Sequence, residues 1–481
     1  MRHRLPSVAL AAILFVACAG GATPERSAIE RDRDASGEDE AERTGLEFPD
    51  VADDNRDDAI VEVAIAEIER FWGDELPAVY DEEFEPVDDV IAYGPNRDEV
   101  PCGNPPPDYD DIAGNAFYCP FDDLIAYDTD NLTDDLIEEF GPFSLVIVMA
   151  HEYGHAIQDE VGFGGERTIE FEQQADCFAG AFTRFVTEGN AQQMTAPLTD
   201  LDQSVAGFVS FRDELGISVD DFGAHGSAFD RVGAFQDGFR NGASRCAAYE
   251  DDPPPLPDLP LDQGDPGGGT APFGPGERGD IFDISFTFLE EFWELALPQH
   301  FDQEWEPYAP DRIEEFDSDN AGSEPDCPDV AEEDMAGSAF YCSDEDFVAY
   351  DLQLMEDLYD DIGDFAVSSV IARQYSVGVQ DQLGIRERSL ESSLQADCFT
   401  GAWAAQVAAD TLSVVVDDDE AGMSARDLDE AVVAFLLQDE AEGTDDTGSP
   451  FERVAAFRDG FVDGLPSCVT YLEGGAPGDD G

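Results

Sequence analysis

The sequence predicts a mainly α-helical protein, α+β only through a small hairpin in each half, built as two homologous domains in tandem. Three observations carry this prediction. Several segments recur in the same order at a nearly constant offset. Most recurring segments space their apolar residues as helices do, not as strands do. Between the two copies lies a stretch with nothing to bury.

The repeat comes first because it organises the rest. AHEYGHAIQD (150–159) recurs as ARQYSVGVQD (372–381). GNAFYC (114–119) recurs as GSAFYC (337–342), QADCFAGAF (174–182) as QADCFTGAW (395–403), and DRVGAFQDGF (230–239) as ERVAAFRDGF (452–461). Phe71-Trp72 recurs as Phe292-Trp293. The offset stays between 221 and 223 residues, so order and spacing are both kept. A duplicated domain accounts for this most economically.

Along the chain, residues 1–18 pair a basic start (Arg2, Arg4) with an apolar run too short to span a bilayer, as a secretory signal does. Its end, Phe15-Val16-Ala17-Cys18, resembles a bacterial lipoprotein signal with Cys18 as the lipidated residue, although Phe15 stands where Leu is preferred. Ordinary signal cleavage near Cys18 is the alternative, giving a secreted chain. Residues 19–55 read as an acidic flexible tether. The first domain is expected over 56–250. It has helices at Asp58–Trp72, Pro142–Glu160, Glu166–Thr187, Asp200–Leu215 and Phe229–Arg240, the last ended by Asn241-Gly242. NAFYC-PFDD-LIAYD (115–128) reads as a hairpin around a Pro/Asp turn. Residues 251–280 form a Pro/Gly-rich linker, 281–474 the second copy, and 475–481 a flexible tail. No segment after the signal is long and apolar enough for a transmembrane helix.

Charge narrows the function classes. Of 481 residues, 112 are acidic and 23 basic, for a net charge of −89, and every basic residue is Arg. Such a surface repels nucleic acid and anionic lipid headgroups. The acid is spread along the chain, which reads as a strongly hydrated, salt-adapted surface rather than a cation-binding tail. With Cys18 set aside, eight cysteines fall four to a domain at matching positions. An exported chain favours disulfides, and the expected pairs are Cys102–Cys119, Cys177–Cys246, Cys327–Cys342 and Cys398–Cys468. Each would contribute roughly 3–4 kcal/mol in the chain-entropy model.

The candidate chemistry sits in HEYGH, 151–155. Positions i and i+4 share a helix face, so His151 and His155 can hold one zinc ion, with Glu152 beside the first ligand as a general base. A catalytic zinc takes three protein ligands and keeps one position open. Glu172 supplies the third. Asp176, one turn further on, is placed to accept from a ligand imidazole; a purely structural helix contact is its other reading.

The second copy acts as an internal control. There His151, Glu152, His155 and Glu172 become Arg373, Gln374, Val377 and Ser393, while the surrounding residues persist. Glu391 is two positions away, on the far side of the helix, and cannot replace the missing ligand. The second copy is therefore expected to be metal-free and catalytically inactive, with a recognition, regulatory or structural role. Tyr153 recurs as Tyr375 and reads as packing. Asp176 recurs as Asp397, which has no His to orient. His225, in AHGS, is lost with the ligands: its counterpart segment is Asp446-Thr447-Gly448-Ser449. It is therefore a candidate to stabilise the oxyanion near the metal, against a capping or packing role. His300 has no counterpart and reads as an incidental surface residue.

Together, AHEYGH, the ExxAD-Cys helix, HGS with its downstream RVxxFxxGF, and the upstream FYC segment resemble the bacterial neutral zinc metallopeptidase family. The resemblance spans most of 56–250, and 281–474 with the metal residues missing. It implies a zincin-like domain with one zinc on His151, His155 and Glu172, and Glu152 as acid/base toward a zinc-bound water. The implied substrate is a peptide or protein; the signal-like start with Cys18 points to a membrane-anchored protein at the cell surface, or a secreted one if Cys18 is not lipidated. Contact between the two domains is a further expectation. The rival reading is a non-enzymatic, zinc-stabilised surface-binding protein. The retained Glu152 argues against it, because a structural site needs no base and closes its fourth position.

Overall fold

The computed structural model describes residues 56–97, 99–165, 167–196, 198–209, 225–257, 271–274, 279–320, 322–328, 330–331, 334–409, 415–416, 419–420, 423, 425–437 and 447–473. The expected signal with Cys18, the tether, the tail and much of the linker lie outside the described residues.

The first half runs α1 (Arg56–Tyr80), β1 (Asp89–Tyr93), α2 (Tyr109–Ile112), β2 (Ala116–Cys119), β3 (Leu124–Asp128), α3 (Thr133–Phe140), α4 (Pro142–Val161), α5 (Thr168–Thr187), α6 (Leu198–Val209), α7 (Ala228–Asn241) and α8 (Ala243–Ala247). The second half runs α9 (Ile281–Phe301), β4 (Ile313–Phe316), β5 (Ala339–Cys342), β6 (Phe347–Asp351), α10 (Leu352–Asp361), α11 (Asp364–Gln382), α12 (Leu390–Ala408), β7 (Val415–Val416), β8 (Asp419–Glu420), α13 (Ala425–Leu437), α14 (Pro450–Asp463) and α15 (Leu465–Val469). Thus α1, α4, α5, α7 and α8 have their counterparts in α9, α11, α12, α14 and α15.

The predicted hairpin is two strands of a three-stranded mixed sheet. β2 pairs antiparallel with β3, Ala116 opposite Tyr127 and Cys119 opposite Leu124. β1 adds on the other side of β3, parallel to it, giving the order β1-β3-β2. The second half repeats this as β4-β6-β5. Sequence reading passes over β1 because DVIAY buries only Tyr93 fully and shows no alternation. Its partner strand is some 30 residues away, which no local signal marks.

α4 is the central helix of its half. Pro142 opens it, where a missing N–H costs nothing, and Gly162 closes it in the left-handed region (φ 69°). Every residue from Pro142 to Gly154 is buried. Next to it, α5 and α7 touch backbone to backbone. A Cβ on Gly180 would lie 1.9 Å from the Phe235 carbonyl oxygen, and one on Gly238 would lie 1.8 Å from that of Cys177. Gly401 and Gly460 play the same parts in α12 and α14. The disulfide Cys177–Cys246 ties α5 to α8, and Cys102–Cys119 ties the loop after β1 to β2. Cys327–Cys342 and Cys398–Cys468 do the same in the second half, the four pairs the repeat leads one to expect.

Two findings go beyond the sequence pattern. Residues 271–274, inside the expected linker, dock on the second half: Ala271 N–H donates to Asp364 Oδ2 at 2.8 Å, and the Phe273 ring lies 5.2 Å from that of Tyr359. In addition, α7 meets α14 across the halves. The Phe229 ring lies 5.0 Å from Phe461, and the Phe239 ring 5.2 Å from Phe451. Gln236 Nε2 donates to the Phe451 carbonyl at 3.0 Å, and Arg240 pairs with Asp459 at 2.8 Å.

A carboxylate cluster in the second half sets a pH limit. Asp364, Asp427 and Glu430 lie within 4.8 Å of one another, with Arg426 paired to Glu430. Burial, then the Asp364 and Asp427 charges, push the Glu430 carboxyl up to about 8, against the Phe365 N–H and Arg426. The folded state thus keeps a proton that the unfolded chain releases near pH 4.5. Stability from this group is present at low pH and is lost as pH rises towards 8. Glu430→Gln mimics the protonated form. Denaturant titrations should show this variant stabilised over the parent by roughly 2–4 kcal/mol at pH 9 and by little at pH 5; a gap that does not change with pH would refute this account.

Candidate metal centre

The helical repeat places His151 and His155 one turn apart on α4, their rings edge-on at 4.8 Å. α5 brings Glu172 opposite them, and all three side chains are largely buried. His151 Nε2 and His155 Nε2 are 3.2 Å apart. Glu172 Oε2 is 3.3 Å from His151 Nε2, and Glu172 Oε1 is 3.6 Å from His155 Nε2. Tetrahedral ligands at about 2.0–2.1 Å from one zinc ion stand about 3.3–3.4 Å from each other. The observed separations of 3.2–3.6 Å, with one Glu172 oxygen toward each imidazole, lie near these edge lengths, and the donor set is that of a catalytic site.

The second ring nitrogens fix the orientation. His151 Nδ1 lies 2.6 Å from Asp176 Oδ1. His155 Nδ1 lies 2.9 Å from Gln158 Oε1, while Gln158 Nε2 donates to the Phe171 carbonyl at 2.7 Å. The Gln158 oxygen can only accept, so each Nδ1 carries a proton and each Nε2 is the nitrogen that faces Glu172. Asp176 is held from behind by Arg231, whose Nε and Nη2 reach its two oxygens at 3.1 and 2.9 Å. Both partners of this bidentate pair are buried.

Electrostatics follow from this crowding. Burial alone would lower His151; the Asp176 carboxylate and its hydrogen bond, then Glu172 and Glu152, outweigh it and raise the group to about 10. Burial raises Glu172, but His155 and His151 outweigh that and hold it well below the usual carboxylate range. Glu152 goes the other way: burial raises it, against the two imidazoles. Its Oε2 accepts the Tyr118 N–H from β2 at 3.0 Å.

The structure thus gathers His151, Glu152, His155, Glu172 and Asp176. His225 does not belong to the metal-ligand triangle. It stands half-buried at the entry to α7, next to Gly226, whose φ of 102° and approach to Ile169 Cδ1 (2.6 Å from a notional Cβ) press this turn against the start of α5. Tyr153 is a packing residue, fully buried, with its hydroxyl accepting the Val87 N–H at 3.3 Å. Sequence reasoning passed over Arg231, Gln158 and the Tyr118 N–H. The first two recur as Arg453 and Gln380, and recurrence marks scaffold, so the comparison that found the ligands hid their supports.

Among the described residues, the second-half positions equivalent to the three candidate ligands hold Arg373, Val377 and Ser393. Arg373, at the position of His151, donates through Nε to Asp397 at 2.7 Å and through Nη2 to Ser393 Oγ at 2.9 Å. Arg453 approaches the other Asp397 oxygen at 3.3 Å. Asp397 orients no histidine, but it keeps its task of gripping the residue at that position. Ser393 Oγ in turn donates to the carbonyl of Thr447, the counterpart of His225, at 2.9 Å.

The chain matches the protein family described as "putative neutral zinc metallopeptidase" over residues 7–249 and again over 327–471. It belongs to that family, and the two matches bear out the tandem architecture. It is 30% identical over 152 residues to an uncharacterized protein of Mycobacterium tuberculosis, covering 26% of this chain and 52% of that protein. It is 30% identical over 157 residues to the uncharacterized protein YpfJ of Escherichia coli K12, covering 27% and 53%. The chain spans about half the length of the curated relatives it matches. No solved structure matches it.

Because Arg231 holds the Asp176 that touches His151, Arg231→Gln should weaken zinc affinity roughly 10–100-fold in chelator competition while leaving His151, His155 and Glu172 intact. Unchanged affinity would remove Arg231 from the centre.

Proposed function

We propose that this protein is an exported zinc-dependent metallopeptidase. Its single catalytic centre is in the first half, and its second half is catalytically inactive. The observation that carries the reading is the His151–His155–Glu172 triangle with the buried Glu152 carboxyl beside it. A structural zinc site has no use for that acid. The donor set matches zinc in chemistry and spacing, and family membership points the same way. The disulfides support an oxidising compartment, and the signal-like residues 1–18 support export with Cys18 as a lipid anchor.

Zinc, when bound, supplies Lewis-acid polarisation and lowers the pKa of a coordinated water towards about 7. The remaining chemistry belongs to the chain. Glu152 is pushed up by burial, which suits a group that must take a proton and then return it. The Tyr118 N–H holds one of its oxygens, leaving the other to accept a proton from the attacking water. Glu152 then delivers that proton to the leaving amine. β2, which carries Tyr118, is an edge strand, so an extended peptide can lie along it by main-chain pairing. His225 fits the role of donor to the developing oxyanion. In the second half the backbone at its position touches the counterpart of Glu172, which supports a place at the rim of the centre.

Glu152→Gln should retain one zinc per chain and lose about 10²–10⁴ in kcat against an unfolded protein substrate; an active variant would end the assignment of Glu152. The second half can be tested by graft. Combining Arg373→His, Gln374→Glu, Val377→His and Ser393→Glu should raise the zinc content from one to two per chain, measured by elemental analysis. A folded graft holding only one zinc would show that the second half lacks more than its ligands.

A further inference from the structure

The two halves exchange one interaction in both directions. Asp202 on α6 accepts the N–H of Phe451, in the first turn of α14, at 2.8 Å. Asp429 on α13 accepts the N–H of Phe229, in the first turn of α7, at 3.1 Å. The sequence makes these the same residue twice: DLDQSVAGFV (200–209) aligns with DLDEAVVAFL (427–436), Asp202 on Asp429, as Phe229 aligns with Phe451. Each half therefore places a carboxylate on the positive N-terminal end of the other half's helix. The exchange is a pseudo-twofold one, and the surrounding contacts are not symmetric. Arg458 lies over the Phe229 ring at 4.6 Å and fills the space at Gly233, where a Cβ would fall 1.8 Å from its Nη2. The reverse position has Ala455 and Gln236.

The two caps differ in what they hold. α14 carries Arg453, which donates to Asp397, and Asp397 in turn grips Arg373 and no metal ligand. α7 follows directly on His225 and carries Arg231, which grips the Asp176 that orients His151. Its first turn is clamped from the second half by Asp429, the Phe457 and Phe461 rings and Arg458. We infer that the inactive half is a built-in positioning subunit for the metal centre, and that Asp429 is its positioning residue, acting through α7 and Arg231. This rests on the zinc assignment above and extends it.

Asp202 is the matched control: the same bond in the same interface, on a helix whose arginine, Arg453, reaches Asp397 and no metal ligand. Zinc affinity by chelator competition, and kcat and KM on an unfolded protein substrate, should be measured on the full chain and on Asp429→Ala, Asp429→Asn and Asp202→Ala. Amide exchange at residues 228–231 should be followed in each. Asp429→Ala should lose at least about tenfold in zinc affinity and kcat, with faster exchange at 228–231. Asp429→Asn, which keeps an accepting oxygen, should recover most of both. Asp202→Ala should lower the melting temperature without moving zinc affinity. If the parent binds one zinc and the two alanine variants behave alike at the metal, the inference is wrong while the peptidase reading stands. If the parent binds no zinc, the peptidase reading falls and takes this inference with it; faster exchange in Asp429→Ala would then mark a merely structural cap.

Discussion

A buried carboxylate with two cationic partners organises each half of this protein. Asp176 lies between His151 and Arg231, and Asp397 between Arg373 and Arg453. A fully buried charge is tolerable only when paired and hydrogen-bonded. The Asp therefore fixes where its neighbours stand: α5 must face α4 at the ligand position, and α7 must close behind. The glycines at the α5–α7 contact are the steric condition for this, because only backbone-to-backbone approach brings the guanidinium to both carboxylate oxygens.

The same constraint explains how one frame supports two states. Replacing His151 by Arg373 keeps a donor aimed at the Asp, so the frame survives loss of the metal residues. Ser393, smaller than Glu172, leaves room for the longer guanidinium and bonds it. Val377, in place of His155, puts an apolar group where a second imidazole stood. Where the first half sets two imidazoles against Glu172, the second half fills the same place with the protein's own cation, Arg373. The chain uses Arg throughout, and here its fixed two-pronged geometry serves Asp397 and Ser393 through separate nitrogens.

Much of the fold and site was legible because duplication places a comparison inside one chain. His151, His155 and Glu172 declared themselves by helical spacing and by their joint loss in the second copy. Their supports, Arg231 and Gln158, did not, because a residue kept in both copies looks like scaffold whether it steadies a metal or a guanidinium. β1 was invisible for a different reason. Its five residues bury only Tyr93 fully, at one edge of a sheet, and their partner is set by the chain's path, not by local pattern. The reciprocal caps on α7 and α14 lay hidden too, since hydrogen bonds between residues some 200 positions apart leave no periodic trace.

The sequence by itself determined the tandem helical architecture, the disulfide grouping, the His151–His155–Glu172 cluster and the loss of those residues from the second copy. Each of these is written in residue identity at short, regular spacing, which helical geometry converts directly into position. Only the tertiary structure decided the rest. It gave the Asp-His and Gln-His contacts that set the imidazole tautomers, the guanidinium that takes the place of His151 in the second half, and the side-chain carboxylates each half lends to the other. These depend on which surfaces meet after the helices have formed, and that choice is made by burial and close packing over the whole chain.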